Sequence, residues 1–426
     1  MNSKKQVLIT GFALFSMFFG AGNLILPPFL GKNAGESWLW VTIGFFLTAV
    51  IIPFLGILAH ARIQGTMYDF AKKISSTFST FYCVIMYTIA ITLPAPRTAS
   101  VTHEIAIAPF FNTSSLVTSS IYFLGVLLFA INRSKVLDYL GKFLTPIIII
   151  IIASIIFVGI FSSPNEISAG IYDAPFVAGL LEGYQTFDAI AAVVVGGILV
   201  ISLNINTNGS FQDKKQLITK AGIIAGLGLL FIYAGLIMNG AFWSTNFATD
   251  ASRTTILNGL STYTLGKIGT SFLSVLVALA CFTTAVGIVT GTADFVKGLF
   301  NNNSKAYTIT VVLGCILGVL IGQFDVSYII DIALPALMFI YPITIVLIIL
   351  NVLNPKYTSV IVFRVVVLIT FTFSIPDFLQ FFIDESQLNT IQKIIPFAKH
   401  NLGWVLPAVF SFVVTNLLFA QKKPAV

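Results

Sequence analysis

Continuous apolar runs recur along the whole chain, and they restrict it to very few folds. Each runs roughly 17 to 25 residues, enough to cross a bilayer as a helix. Hydrocarbon offers no partner for backbone N–H and C=O groups, so a spanning segment must be a helix or part of a closed barrel. Barrel strands alternate polar and apolar residues over about ten positions, whereas these runs are unbroken. With 57% hydrophobic and only 9% charged residues in 426, there is too little charge to cover a soluble surface. The reading is an all-α integral membrane protein.

A pass along the chain predicts twelve spans, at roughly 6–30, 38–61, 78–106, 115–132, 142–162, 175–203, 217–243, 267–297, 306–323, 327–353, 358–384 and 402–420. Lys4 and Lys5 before the first run resemble the start of a signal peptide. The run continues to Leu30 with no small-residue cleavage site, so it is read as a retained span. No long polar stretch interrupts the spans, and residues 1–426 read as a single membrane domain. The longest polar connections fall near 244–266 and 384–401.

Lysine and arginine set the orientation. With the N-terminus inside and the spans alternating, 17 of the 23 basic residues face the cytoplasm, 5 face outward, and Arg97 lies within the third span. Both termini are therefore expected in the cytoplasm. The asymmetry accounts for the net charge of +7 through the anionic inner leaflet, with no nucleic acid partner. Cys83, Cys281 and Cys315 are scattered within apolar runs and read as buried small hydrophobes, without the spacing of a metal site or disulfide framework. His60, His103 and His400 are isolated. No phosphate-binding glycine loop or hydrolase motif is present, so the chain reads as neither an enzyme nor an ATP-driven pump.

Two apolar runs are interrupted. The first carries Phe19-Gly20-Ala21-Gly22-Asn23, with Pro27-Pro28 one turn later. The sixth carries Glu182-Gly183-Tyr184-Gln185-Thr186-Phe187-Asp188. Five spans apart, the two enter the membrane from opposite sides, as the broken helices of an inverted-repeat transporter do. Repeat one would cover about 6–162 and repeat two about 175–353, with about 358–420 as additional helices. An unwound helix exposes N–H groups that favour a carboxylate and carbonyls that favour an ammonium or cation. An α-amino acid carries both charges. The plainer alternative for Gly20 and Gly22 is close helix packing; Asn23 and the prolines favour a break.

A cation needs oxygen ligands. Thr283 and Thr284 in span eight, with the Ala280 carbonyl, offer three, and the carbonyls of Ser16 and Phe19 in span one would complete the set. Back-bonding of both threonines to the preceding turn is the competing account. Arg97, Glu182 and Asp188 are ionisable residues at membrane depth, which is costly unless they serve a function or pair. Arg97 paired with Glu182 or Asp188 would form a gate, a coupling device or a structural ion pair. His103 and Glu104 are expected at the outer interface. Tyr184 and Phe187 are candidates for an apolar side-chain pocket.

These residues carry a resemblance. Gly11-Phe12 through Phe18 to Asn23-Leu24 and Pro27-Pro28, then Pro94-Ala95-Pro96-Arg97-Thr98-Ala99, His103-Glu104-Ile105, Gly141-Lys142 to Thr145-Pro146, Leu181 to Asp188, and Cys281-Phe282-Thr283-Thr284-Ala285 together resemble the bacterial branched-chain amino acid:cation symporters of the BrnQ type. The resemblance implies the LeuT-like fold of the wider amino acid transporter superfamily, with five-plus-five inverted repeats and helices 1 and 6 broken. It implies leucine, isoleucine and valine as substrates, taken up with Na+ as coupling ion across the bacterial inner membrane, with no obligate protein partner. By the same resemblance Gly20, Ala21, Gly22 and Asn23 belong to the substrate-binding break, with Gly183, Tyr184 and Phe187 opposite. Ser16, Phe19, Ala280, Thr283 and Thr284 correspond to a Na+ site. The count of cations stays open, and Asp188 leaves proton coupling as an alternative. A channel, the rival of another class, would call for a ring of repeated polar side chains, which twelve dissimilar spans do not supply.

Overall fold

The computed structural model describes residues 3–20, 23–132, 136–162, 166–206, 211–383 and 385–419. Its helices run in order: α1 Ser3–Phe18, α2 Leu26–Ala34, α3 Trp38–Phe46, α4 Ile52–Ile63, α5 Met67–Ala71, α6 Ser76–Thr92, α7 Pro94–Thr102, α8 Ser115–Asn132, α9 Val136–Phe161, α10 Pro175–Tyr184, α11 Asp188–Asn206, α12 Phe211–Phe242, α13 Arg253–Leu299, α14 Ser304–Gly322, α15 Val326–Val352, α16 Val360–Leu379, α17 Glu385–Ile394 and α18 Val405–Leu418. Eight segments among the described residues are at least 18 residues long and apolar enough to cross a membrane. Counting α1 with α2, α3 with α4, α6 with α7 and α10 with α11 as single spans, and leaving out the short α5 and α17, the described helices make twelve candidate spans.

Both breaks follow from local chemistry. Helix α1 stops at Phe18, and α2 restarts with Pro27 and Pro28 at its first positions, where a missing N–H costs nothing. Helix α10 starts at Pro175 and stops at Tyr184. Phe187 then takes φ +60°, a left-handed conformation that costs a non-glycine residue roughly 1–3 kcal/mol and redirects the chain into α11.

Helices α1 and α2 pack on α12, α3 on α10, and α4 on α11; α13 packs on α7, α9 and α14, and α14 on α8. Glycines let α2 and α10, one half of each broken span, approach their neighbours. A Cβ on Gly44 of α3 would collide with the Phe176 carbonyl of α10, and one on Gly179 of α10 with the Val41 carbonyl of α3. Gly31 of α2 and Gly240 of α12 lie equally close to the Ile237 and Pro28 carbonyls. Such backbone-to-backbone contact is how membrane helices associate when lipid is as apolar as they are. The apolar interior divides into two large clusters. Phe18 and Phe19 of the first break belong to one, and Tyr184 and Phe187 of the second break to the other.

The two longest polar connections are partly helical. Residues 253–265 form the first part of α13, which turns at Gly266 (φ +68°, ψ −173°) before entering the expected eighth span. Ser252 caps its start by accepting from Thr255 N–H. The connection near 384–401 contains α17. Span three also differs: it is jointed at Leu93–Pro94 and again in a wide turn at 103–107. Pro94 cannot supply the N–H a continuous helix needs.

Candidate functional site

Among the described residues, the two breaks meet at a polar contact. Asn23, immediately after the first break, is buried. Its amide Nδ2 donates to the Phe18 carbonyl at 2.9 Å, closing the end of α1. The same nitrogen lies 3.0 Å from both carboxylate oxygens of Asp188, the first residue of α11. Tyr233 of α12 adds its hydroxyl at 3.3 Å. A carboxylate at a helix N-terminus is favoured by the peptide dipoles, and the Asp188 N–H is held by Thr186 Oγ1 at 3.2 Å. One side chain therefore ties the end of α1 to the start of α11.

Arg97 of α7 closes the second break from the other side. It is buried, and its Nη1 donates to the Gln185 carbonyl at 2.7 Å. Its guanidinium lies 5.1 Å from the centre of the Phe187 ring. A carbonyl freed by the break and an aromatic face thus accommodate a cation that hydrocarbon would exclude. The expected pairing of Arg97 with Glu182 or Asp188 is not made: neither forms an ion pair with it. Glu182 instead pairs with Arg253 at the start of α13, through Nε to Oε1 at 3.0 Å and Nη2 to Oε2 at 3.3 Å. Two parallel bonds from a guanidinium fork are the strongest form of such a pair. The Arg253 guanidinium also covers the Phe29 ring of α2 at 4.1 Å. Burial, and next the Glu182 charge, raise the Tyr172 phenol of the neighbouring loop above its ordinary pKa.

The remaining expected residues are placed as follows. Gly20 is half-buried, and a Cβ there would meet nothing within 4 Å; its carbonyl accepts from Asn23 N–H at 2.9 Å. Ala21 and Gly22 lie outside the described residues. Gly183 serves packing: a Cβ would strike the Thr48 hydroxyl of the neighbouring span. Tyr184 is fully buried and stacks on Tyr341 of α15 with ring centres 4.3 Å apart. The Tyr184 hydroxyl and both amide atoms of Gln185 are buried without a hydrogen-bond partner. An unmet buried polar group costs roughly 1–3 kcal/mol, so this cluster is chemically disposed to receive polar groups of a solute.

Thr283 and Thr284 both donate to the Ala280 carbonyl, at 3.0 and 2.9 Å, so the back-bonded arrangement is present. Their oxygens keep lone pairs for a cation. Helix α1 packs chiefly on α12. His103 and Glu104 are half-buried. Glu104 accepts from the Thr254 hydroxyl, and its other oxygen accepts from Val326 N–H at 2.8 Å.

Sequence reasoning missed Tyr233, Tyr341, Arg253 and Thr254. The tyrosines carry no local signal among so many aromatics. Arg253 had one: it follows Ser252, a capping residue type, within a supposed loop.

The family model described as "Branched-chain amino acid transport protein" matches residues 3–422. The chain is 34% identical to the branched-chain amino acid permease BraB of Bacillus subtilis, covering 98% of this chain and 97% of that one. It is 32% identical to the branched-chain amino acid transport system 2 carrier protein of Pseudomonas aeruginosa, over 99% and 98%. Among solved structures, the inward-facing conformation of Mhp1 superposes with a TM-score of 0.59 at 11% identity, covering 98% of this chain and 91% of that one. MhsT in complex with L-phenylalanine gives 0.55 at 15%, over 96% and 97%. These likenesses fix the fold as LeuT-like, with the first and sixth helices broken.

Proposed function

The chain belongs to the branched-chain amino acid transport protein family, and from that membership we propose that it imports leucine, isoleucine and valine with Na+ by alternating access about its two broken helices. It is a transporter rather than an enzyme. The observation that carries the mechanism is the Asn23–Asp188 contact, which links the two breaks through a single side chain. Movement of either broken helix must respect or rupture that link.

In this reading the two repeats cover about 6–162 and 175–353, and the end of the bundle richest in lysine and arginine faces the cytoplasm. The non-helical main chain at Gly20 and the unmet amide of Gln185 receive the substrate's charged groups, with Tyr184 and Phe187 beside its side chain. Ser16, Phe19, Ala280, Thr283 and Thr284 hold Na+ once α1 and α13 close together. Because Na+ and substrate both favour the closed arrangement, each tightens the other by the same factor. Pockets separate leucine from valine by only roughly 1–3 kcal/mol per methylene, so overlapping substrates are expected.

The test is labelled-leucine uptake into proteoliposomes under an imposed Na+ gradient. Accumulation above equilibrium, lost when choline replaces Na+ and competed by isoleucine and valine, is the expected result. Uptake unchanged in choline at fixed pH would overturn Na+ coupling in favour of protons, for which the buried Asp188 supplies a carboxyl. Equilibration without accumulation would indicate a channel.

Thr284→Ala checks the cation site itself. Losing one oxygen contact to a charged group costs about 1.5–3 kcal/mol, or about a 10- to 100-fold rise in the Na+ concentration for half-maximal uptake. The protein should remain folded, since only a back-bond to Ala280 is lost. An unchanged Na+ dependence removes Thr284 from the site.

A further inference from the structure

At the lysine- and arginine-rich end, remote from the breaks, a cleft of about 300 Å³ opens between the end of α4, α5 and the loop after it, and the turn from α15 to α16. Arg62, Asp69, Lys73, Asn351 and Thr358 supply its polar lining. The walls are fixed. Arg62 Nη1 donates to the Val352 and Leu353 carbonyls, leaving its other N–H groups uncommitted to that bond. Asn351 Nδ2 donates to the Phe70 and Leu347 carbonyls at 3.0 and 2.9 Å. The one acid, Asp69, is engaged locally: it accepts from the Thr66 N–H at 2.9 Å and the Thr66 hydroxyl at 3.1 Å, capping α5.

Positive charge is therefore in excess. Burial, and next the Arg62 guanidinium, lower the Lys73 ammonium from its ordinary pKa; two like charges share the cleft. Lys73 Nζ is steadied 4.6 Å from the centre of the Phe363 ring. Arg364 Nε donates to the Ile74 carbonyl at 2.9 Å, which puts a further cation beside the Lys73 loop. Exposed Lys72 and Lys356 are the sequence neighbours of Lys73 and Pro355. Helix α16, 20 residues long, begins two residues after Thr358 and adds the positive end of its dipole. On the same side the chain is apolar and open: Tyr357, Val360 and Ile361 are all more than 40% exposed. A small anion needs no such apolar flank, whereas a lipid presents phosphate and acyl chain together.

We propose that this cleft is a phosphate-anion site whose ligand is the headgroup of an anionic phospholipid. Basic pockets between helices at the cytoplasmic surface suit such headgroups. The site braces α4, the inner end of span two, against α15 and α16.

The experiment uses the purified full-length protein, stripped of lipid, and titrates phosphatidylglycerol, phosphatidylcholine and inorganic phosphate in parallel, read by native mass spectrometry and by thermal unfolding. Phosphatidylglycerol should bind and stabilise where phosphatidylcholine does not. Lys73→Gln should weaken that binding about fivefold, the equivalent of about 1 kcal/mol for one basic side chain near the surface. Lys73→Arg should retain it, and Lys215→Gln, exposed on another segment, should not alter it. Equal binding of the two lipids, or a Lys73→Gln protein indistinguishable from the parent, overturns the proposal. Inorganic phosphate that binds at the cleft and displaces phosphatidylglycerol overturns the lipid as its source. None of these readouts depends on transport, so they stand whether or not the symport reading survives.

Discussion

Asp188→Asn is expected to abolish leucine accumulation, lowering the uptake rate at least about 100-fold, while folded protein still reaches the membrane. The fold should survive because asparagine is nearly isosteric and serves as well as aspartate at a helix N-terminus. What disappears is the charge that receives the Asn23 amide on both oxygens at 3.0 Å. Hydrogen bonds to charged groups contribute about 1.5–3 kcal/mol each, and about 2.7 kcal/mol on a barrier is a factor of about 100 in rate. In the variant, an NH2 group replaces one acceptor and faces the Asn23 NH2. The reciprocal double variant, Asn23→Asp with Asp188→Asn, separates two explanations. It restores a hydrogen bond between the breaks but moves the charge to the first. Recovery of uptake would mean that the link alone matters; continued loss would mean that the charge must sit on α11. Uptake at the parental rate in Asp188→Asn would remove this contact from the mechanism.

The breaks were legible because proline and glycine act locally. Pro27-Pro28 mark the restart of α2 wherever the rest of the chain goes, and Gly20 precedes them at the spot where the helix has ended. The second break was readable as a run of polar residues in an apolar span, and its edges fell where Gly183 and Asp188 suggested. Partners were not legible. Arg97 looked like half of an ion pair because hydrocarbon makes any lone charge costly. The break that frees the Gln185 carbonyl also supplies an acceptor for it, and charge counting does not see carbonyls. Glu182 then found its cation in Arg253, hidden in a stretch whose polar composition reads as loop. That stretch is helical because Ser252 caps it and Gly266 ends it with a turn. The pair Thr283–Thr284 was ambiguous for a related reason: a back-bonded hydroxyl and a cation ligand have the same sequence.

The other large effect is expected at Arg253 and Glu182. Arg253 holds α10 through its two bonds to Glu182 and covers Phe29 of α2, so it grips one half of each broken span. The next residue, Thr254, donates to Glu104, whose second oxygen takes the first N–H of α15. Residues 253 and 254 thus fasten α2 and α10 to spans three and ten; in the proposed orientation this end faces outward, and opening it would part these contacts. Each charged side chain is 13% exposed, so the cost of removing one partner lies below the roughly 3–5 kcal/mol of a fully buried pair and above an exposed one. Taken as about 1.5–3 kcal/mol, Glu182→Gln or Arg253→Gln should shift the balance toward the outward-open state by about 10- to 100-fold and slow net uptake accordingly. Amide hydrogen exchange over 253–262 should quicken in the same variants, which a defect confined to substrate contacts would not produce. Arg253→Lys should recover only part of the loss, because an ammonium cannot make the two parallel bonds. Exchanging the charges, Glu182→Arg with Arg253→Glu, rebuilds the pair but forfeits the stack on Phe29; it should recover more uptake than either reversal alone. Losses that simply add in the exchanged protein, with exchange over 253–262 unchanged in the single variants, would mean that the pair sits at the surface without holding the outer side shut.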